Sequence, residues 1–349
     1  MDELNRQCIV FYEVSMLKNR KQYVVIVFCI ISMMVMILDA KTAIMGAKEG
    51  LMICFQTVIP SLFPFFYVSS IMNTYLIGRS LPLLRSLGKL CTIPEGSEGL
   101  FIIGAIGGYP VGARSLQQAY TSGALTKKEA ERMLGFCNNA GPAFLFGIGS
   151  SLFRSPYIPA VIYLILLISS VLTGIMLPGG SIRKCNIIIH TKMNPLNSSI
   201  HAIASVCGWV ILYRMLLTFL NRWILWLLPD TFVITIVGLL ELTNGCIQLA
   251  HLDNDGLRFI LLSIFTCLGG FCVANQTATV AKSLSCKYYY IGKLIQTGFT
   301  LLLSLSLYSL LFPGNKNMLL ILLLPLTILT VILIYKQKNS TGNFAMHGV

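Results

Sequence analysis

A chain of 349 residues with 55% hydrophobic and only 11% charged residues, and a mean hydropathy of +0.76, lacks the polar surface of a soluble fold, which carries roughly 25% charged residues. Its formal net charge of +13 points to cytoplasmic loops facing anionic lipid and excludes a nucleic-acid partner, because no long basic tail and no basic–aromatic strip occurs. The eleven cysteines form no C-x-x-C. Most sit in apolar runs, as at Cys29, Cys54, Cys137, Cys207, Cys267 and Cys272, where they read as small buried hydrophobes. The four histidines are scattered, so neither a metal site nor a cofactor is expected.

Residues 1–21 form a polar arm, expected in the cytoplasm. The first apolar run, 22–38, follows Lys18, Arg20 and Lys21. No A-x-A cleavage site follows it, so 22–44 reads as an uncleaved anchor rather than a removed signal peptide. Asp39, Lys41, Lys48 and Glu49 are expected in a short loop. A second span at 51–73 is kinked by Pro60 and Pro64. From 75 to 90, leucines interleave with Arg79, Arg85 and Lys89, which suits either a segment lying on the membrane surface or a solvated loop.

Residues 99–121 are rich in glycine, with Gly104, Gly107, Gly108, Pro110 and Gly112 close together. Thr126 and Glu129 have the spacing of a capping box, opening a short surface helix. Spans are expected at 133–153 and 159–178, followed by a polar loop at 181–200 with Arg183, Lys184, His190 and Lys192. The next span, 201–221, ends at Arg222, Trp223 and Trp226, an interface anchor. A second glycine-interrupted piece covers 231–250. The run at 259–282 is broken by Gly269 and Gly270, with Asn275 and Gln276 near its middle. Lys287, Tyr288, Tyr289, Tyr290 and Lys293 mark an interface. Two last spans cover 292–312 and 317–335, and Lys336 and Lys338 close on the cytoplasmic side.

Glycine and proline free backbone groups from the helical ladder, and bare N–H and C=O groups are costly in hydrocarbon. Broken apolar segments therefore belong inside protein or beside a wet cavity, and they point to a transporter-like site. They also recur in order. The stretch Gly104 to Gly112 parallels Gly238 to Gly245, and Phe136 to Gly141 parallels Phe265 to Gly270. The plainer view, that any two membrane segments look alike, is weakened because the same irregularities return in the same sequence.

If the two glycine-rich pieces are hairpins that do not cross, 18 of the 26 Lys and Arg residues fall inside and six outside, with Arg114 and Arg214 within apolar pieces. Full crossing would push the basic loop 181–200 outside, against the positive-inside rule. The expected fold is an all-α polytopic membrane protein: about eight transmembrane helices plus two re-entrant glycine-rich hairpins in inverted repeats. Gate-like repeats occupy 45–180 and 201–312, and the last helix with a cytoplasmic tail occupies 313–349.

The candidate binding residues follow from these breaks. Glu241 is the one acid deep in an apolar piece, where acids are costly. It suits a cation, a proton or a solute's polar edge, or else it pairs with Arg114 or Arg214. Arg114 suits an anionic group or snorkels to the interface. Asn138 and Asn139 offer amides beside freed backbone, for a solute or for helix–helix contact. Asn275 and Gln276 hold the matching place in the second half. Thr243 and Asn244 flank Glu241. Gly108, Pro110, Gly112 and Gly141 let backbones approach closely, and Tyr109 gates or packs. No H-E-x-x-H, G-x-S-x-G, Walker A motif or paired intramembrane aspartate occurs, so no catalytic residue and no enzyme is expected.

The motifs GGYPVGA, LTKKEAERML, FCNNAGPAF, GLLELTNG and LGG followed by Gln276 together resemble the YlbJ-type sporulation integral membrane proteins. That type lies within the wider nucleoside-recognition or gate-domain group, which is similar to concentrative nucleoside transporters and to the membrane gates of ferrous-iron transporters. The resemblance covers roughly residues 45–310. It implies a multi-pass protein of the cell membrane, with both termini cytoplasmic, in the mother-cell or forespore membrane of a sporulating cell. It implies a role in spore envelope (cortex) formation, binding or moving a small polar solute or ion. A non-transporting scaffold or a gate subunit is the alternative. Its expected surroundings are the lipid bilayer, with self-association and sporulation membrane partners left open.

Overall fold

The computed structural model describes residues 22–179, 183–185 and 194–312. The expected arm 1–21, His190 and Lys192 of the polar loop, and the last span 317–335 with its tail lie outside the described residues. Among the described residues the chain is helix and turn, apart from one isolated parallel bridge between Glu95 and Lys184.

Helix α1 (Gln22–Leu38) is followed after Asp39 by α2 (Ala40–Ile53). A π-type turn (Cys54–Val58) then leads into α3 (Ile59–Leu76). Lys41, Lys48 and Glu49 therefore lie on a helix and not in the expected loop. Gly46 and Gly50 explain why. They are four residues apart on the face of α2 that meets the later helix α10. A methyl at either would come within 2.7–2.8 Å of the Cα atoms of Met215 and Ile211, the close backbone approach of small residues at a helix crossing.

Five helices among the described residues are long and apolar enough to cross a membrane: Ala40–Leu76, Tyr157–Met176, Pro195–Trp223, Asp255–Val280 and Lys287–Leu311. The expectation of a single span over 133–153 is corrected. That stretch divides into α7 (Lys127–Leu134), a non-helical crossing at 135–141, and α8 (Pro142–Leu152). Eleven residues reach only about 16 Å at 1.5 Å each. Helix α1 is also short, and the segment 77–90 forms a turn and the six-residue α4 (Arg85–Leu90), with Leu83 fully turned outward.

The two glycine-rich pieces fold back on themselves. In the first, α5 (Gly99–Gly107) and α6 (Val111–Thr121) are joined by Gly108, Tyr109 and Pro110. Gly108 sits at φ +76°, a backbone region other residues avoid. In the second, α11 (Asp230–Leu240) turns at the extended Glu241 into α12 (Leu242–Gln248).

Each hairpin closes on glycine. A methyl at Gly104 or Gly112 would lie 1.7 or 2.1 Å from the Cys137 carbonyl oxygen, and one at Gly245 would lie 2.1 Å from the Cα of Gly238. Thus the 135–141 crossing is clamped across the first hairpin. The remaining helices are α9 (Tyr157–Met176), α10 (Pro195–Trp223), α13 (Asp255–Leu268), α14 (Gly270–Val280) and α15 (Lys287–Leu311).

Helix α10 serves as a ruler. Near its start, Ser198 accepts from Arg114 of the first hairpin at 2.7 Å. Near its end, Arg214 reaches Asn244 of the second hairpin at 2.6 Å, and Leu217 and Leu225 pack with Val237. The hairpins therefore approach from opposite ends of α10, with their tips near its middle.

Outside the long helices, the capping box at Thr126 has both of its bonds, Thr126 N–H to Glu129 Oε2 and Glu129 N–H to Thr126 Oγ1. Glu129 also holds Arg183 at 2.7 Å, and that hydrogen bond raises the guanidinium pKa above its ordinary value. Arg132 on the same helix is buried. It donates to the carbonyls of Gly174, Leu177 and Pro178 at the end of α9, supplying partners that a helix C-terminus lacks.

Candidate functional site

Both hairpin tips meet at one cavity of about 80 Å³, well above the ~10–15 Å³ that a single water needs. Of the candidate residues, Gly108, Tyr109, Gly141, Glu241, Thr243 and Gln276 line it. Thr57 and Ser61, from the π-type turn and the start of α3, close another side. Ser61 Oγ donates to the Thr57 carbonyl at 2.6 Å. A π-type turn opens the ladder by one residue, and such turns often mark working sites. The breaks bring polar backbone and side chains to a place where continuous helices would present only hydrocarbon.

Glu241 is 2% exposed. Its carboxylate accepts from the backbone N–H groups of Thr243 (3.0 Å) and Asn244 (2.7 Å) and from the Asn244 side chain (2.6 Å). It thus caps α12 while bordering the cavity, and the helix N-terminus favours its negative charge. Among the described residues no lysine or arginine is paired with it directly. The expected partners lie elsewhere. Arg214 binds Glu49 at 2.7 Å and reaches Glu241 only through Asn244. Arg114 is directed away from the cavity, to the Phe66 carbonyl and the hydroxyls of Ser70, Ser198 and Ser199.

The asparagines hold the frame rather than lining the cavity. Asn138 accepts from the Ala113 N–H at 3.3 Å and donates to Thr277 Oγ1 at 2.9 Å, joining α6 to α14. Asn139 donates to the Phe136 carbonyl and to Ser170 Oγ. Asn275 donates to Tyr213 OH at 2.8 Å on the contact between α10 and α14. Pro110 and Gly112 set the turn and the close packing of the first hairpin.

A polar core next to the cavity was not anticipated. Lys293, 3% exposed, donates to Tyr109 OH (3.0 Å), Asn139 Oδ1 (3.1 Å) and Gln296 Oε1 (2.8 Å). Tyr109 OH in turn donates to the Cys267 carbonyl at 2.6 Å, just before the break at Gly269. One ammonium therefore ties the first hairpin tip, the 135–141 crossing and the broken α13–α14 pair together. The signal was present: Lys293 and Gln296 stand one turn apart in a largely apolar helix, and polar groups at that spacing share a face. Read as part of the KYYYIGK cluster, Lys293 passed for an interface residue.

The chain is similar to the Sporulation integral membrane protein YlbJ of Bacillus subtilis (strain 168), being 22% identical over 318 residues that cover 76% of this chain and 78% of that protein. No family model matches the chain, and no solved structure matches it. The likeness to a protein named as integral to the membrane and the five long apolar helices together support a membrane location.

Proposed function

We propose that this chain acts in sporulation as a multi-pass membrane protein that binds a small polar solute between its two hairpin tips and moves it during spore envelope (cortex) formation. One observation carries the reading: Glu241, a buried carboxylate without a directly paired cation among the described residues, borders a cavity where Gly108, Gly141 and Thr243 also converge. A buried charge is costly, and it persists where it does work. In this reading the α5–α6 and α11–α12 hairpins are re-entrant and enter from opposite membrane faces as inverted repeats of a gate-type fold. The 22–38 and 317–335 stretches, with the broken α7–α8 segment taken as one discontinuous crossing, bring the total to about eight crossings, and both termini are cytoplasmic. Neither catalysis nor a cofactor is involved.

The test is complementation of a sporulation-deficient host that lacks its own protein of this type. Wild-type chain should restore heat-resistant spores. Glu241→Gln, and the pair Thr243→Val with Gln276→Leu, should lower spore counts by about tenfold or more at unchanged membrane abundance, the effect of losing roughly 1.4 kcal/mol of a required interaction. Full spore counts from both variants would overturn the solute site. A loss of spores confined to Lys127→Glu and Lys128→Glu, on the exposed side of α7, would favour the scaffold or gate-subunit reading instead.

A further inference from the structure

A second cavity, about 260 Å³, lies between α6, the first turns of α10 and the end of α14. Its lining includes Arg114, Gln117, Gln118, Ser198, His201 and Lys282, and no aspartate or glutamate. The guanidinium of Arg114 forms the floor. Its bonded partners are all neutral: the Phe66 carbonyl and three serine hydroxyls, with the Phe66 ring stacked 5.4 Å away. Among the described residues no carboxylate neutralises it. His201 and Lys282 are exposed at the mouth.

The neutral side chains are also oriented as donors. Gln117 Oε1 already accepts from the Ser283 N–H at 3.1 Å, and Gln118 Oε1 accepts from Asn73 Nδ2 at 3.0 Å. Each glutamine is thereby left with its NH2 end as the group that has capacity to spare. Ser198 Oγ accepts from Arg114 at 2.7 Å, which leaves its hydroxyl proton to donate.

We propose that this cavity is a binding site for an oxyanion of the phosphate type, with Arg114 as its fixed cation and Lys282 and His201 as its outer contacts. The terminal N–H groups of Arg114 are taken by the Phe66 carbonyl and the serines, so it supplies a fixed positive charge, and the spare donors of Gln117, Gln118 and Ser198 beside it suit an oxyanion and reject a cation. The same chemistry is offered by free phosphate or by a lipid headgroup phosphate. The site stands apart from the solute cavity and does not depend on it.

Purified full-length protein in neutral detergent would be titrated with inorganic phosphate against chloride at equal ionic strength, following the unfolding temperature. In parallel, protein extracted from phosphatidylglycerol-containing membranes would be examined by native mass spectrometry for retained phospholipid. Wild-type protein should show a saturable rise with phosphate, or a retained phospholipid, and the arm that responds identifies the source. Lys282→Gln should weaken that response roughly fivefold, the scale of a half-exposed charge contact, and Arg114→Gln should abolish it. Arg114 has several structural bonds, so Lys282→Gln, at an exposed position, decides the matter if Arg114→Gln fails to fold. The proposal is overturned if neither phosphate nor phospholipid registers on wild-type protein, or if Lys282→Gln responds as wild type does.

Discussion

At the scale of single residues, the account rests on charges and hydroxyls placed where hydrocarbon would otherwise be. Tyr109 is the hydroxyl link between Lys293 and the Cys267 carbonyl. Tyr109→Phe keeps the ring and removes only that link, so it should cost about 1–2 kcal/mol, read as a lowered unfolding temperature in detergent. An unchanged temperature would mean that the Lys293 network is not formed. Arg132 is a second case. It is buried and bonded to the last carbonyls of α9. Arg132→Met should therefore destabilise by about 3 kcal/mol, whereas Lys127→Ala and Lys128→Ala, both exposed, should leave thermal stability unchanged. Arg132 therefore cannot serve as a surface probe alongside those lysines.

At the scale of elements, the helix breaks are the organising feature, and glycine determines where backbones touch. Gly104→Ala, Gly112→Ala and Gly245→Ala each set a methyl at 2.1 Å or less from a backbone atom of the neighbouring segment. Each should cost about 3 kcal/mol or more, seen as loss of folded protein on extraction. Gly147 and Gly208 have nothing within 4 Å of an added methyl. Alanine at these helical positions should be neutral or stabilising by about 0.5–1 kcal/mol. If all five variants behaved alike, the hairpin packing would be wrong.

The breaks were legible in the sequence because glycine and proline act locally. The capping box at Thr126 was legible for the same reason: its spacing is its geometry. Residue roles that depend on distant partners were not. The sequence leaves Asn138 and Asn139 open between a solute and helix–helix contact, because the partners that decide it, Thr277, Lys293 and Gln296, lie more than a hundred residues away. The glycine pair Gly46 and Gly50 is masked in the sequence by Lys48 and Glu49, which suggest a loop, whereas Arg214 supplies the ion-pair partner that lets Glu49 lie on a helix.

At the scale of the whole molecule, the central claim is that two hairpins enter from opposite faces and stop at mid-bundle, leaving Glu241 beside a shared cavity. In each hairpin both ends must then lie on one face, and the two hairpins must use different faces. The direct measurement is labelling of single cysteines with a membrane-impermeant thiol reagent, in intact and in opened vesicles, after removal of the eleven native cysteines. Ser86 and Thr121 bracket the first hairpin, and Asp230 and His251 bracket the second; all four are exposed. The account predicts that Ser86→Cys and Thr121→Cys label from one face only, and that Asp230→Cys and His251→Cys label only from the other. Labelling of Ser86→Cys and Thr121→Cys from opposite faces, or of all four from the same face, would contradict it.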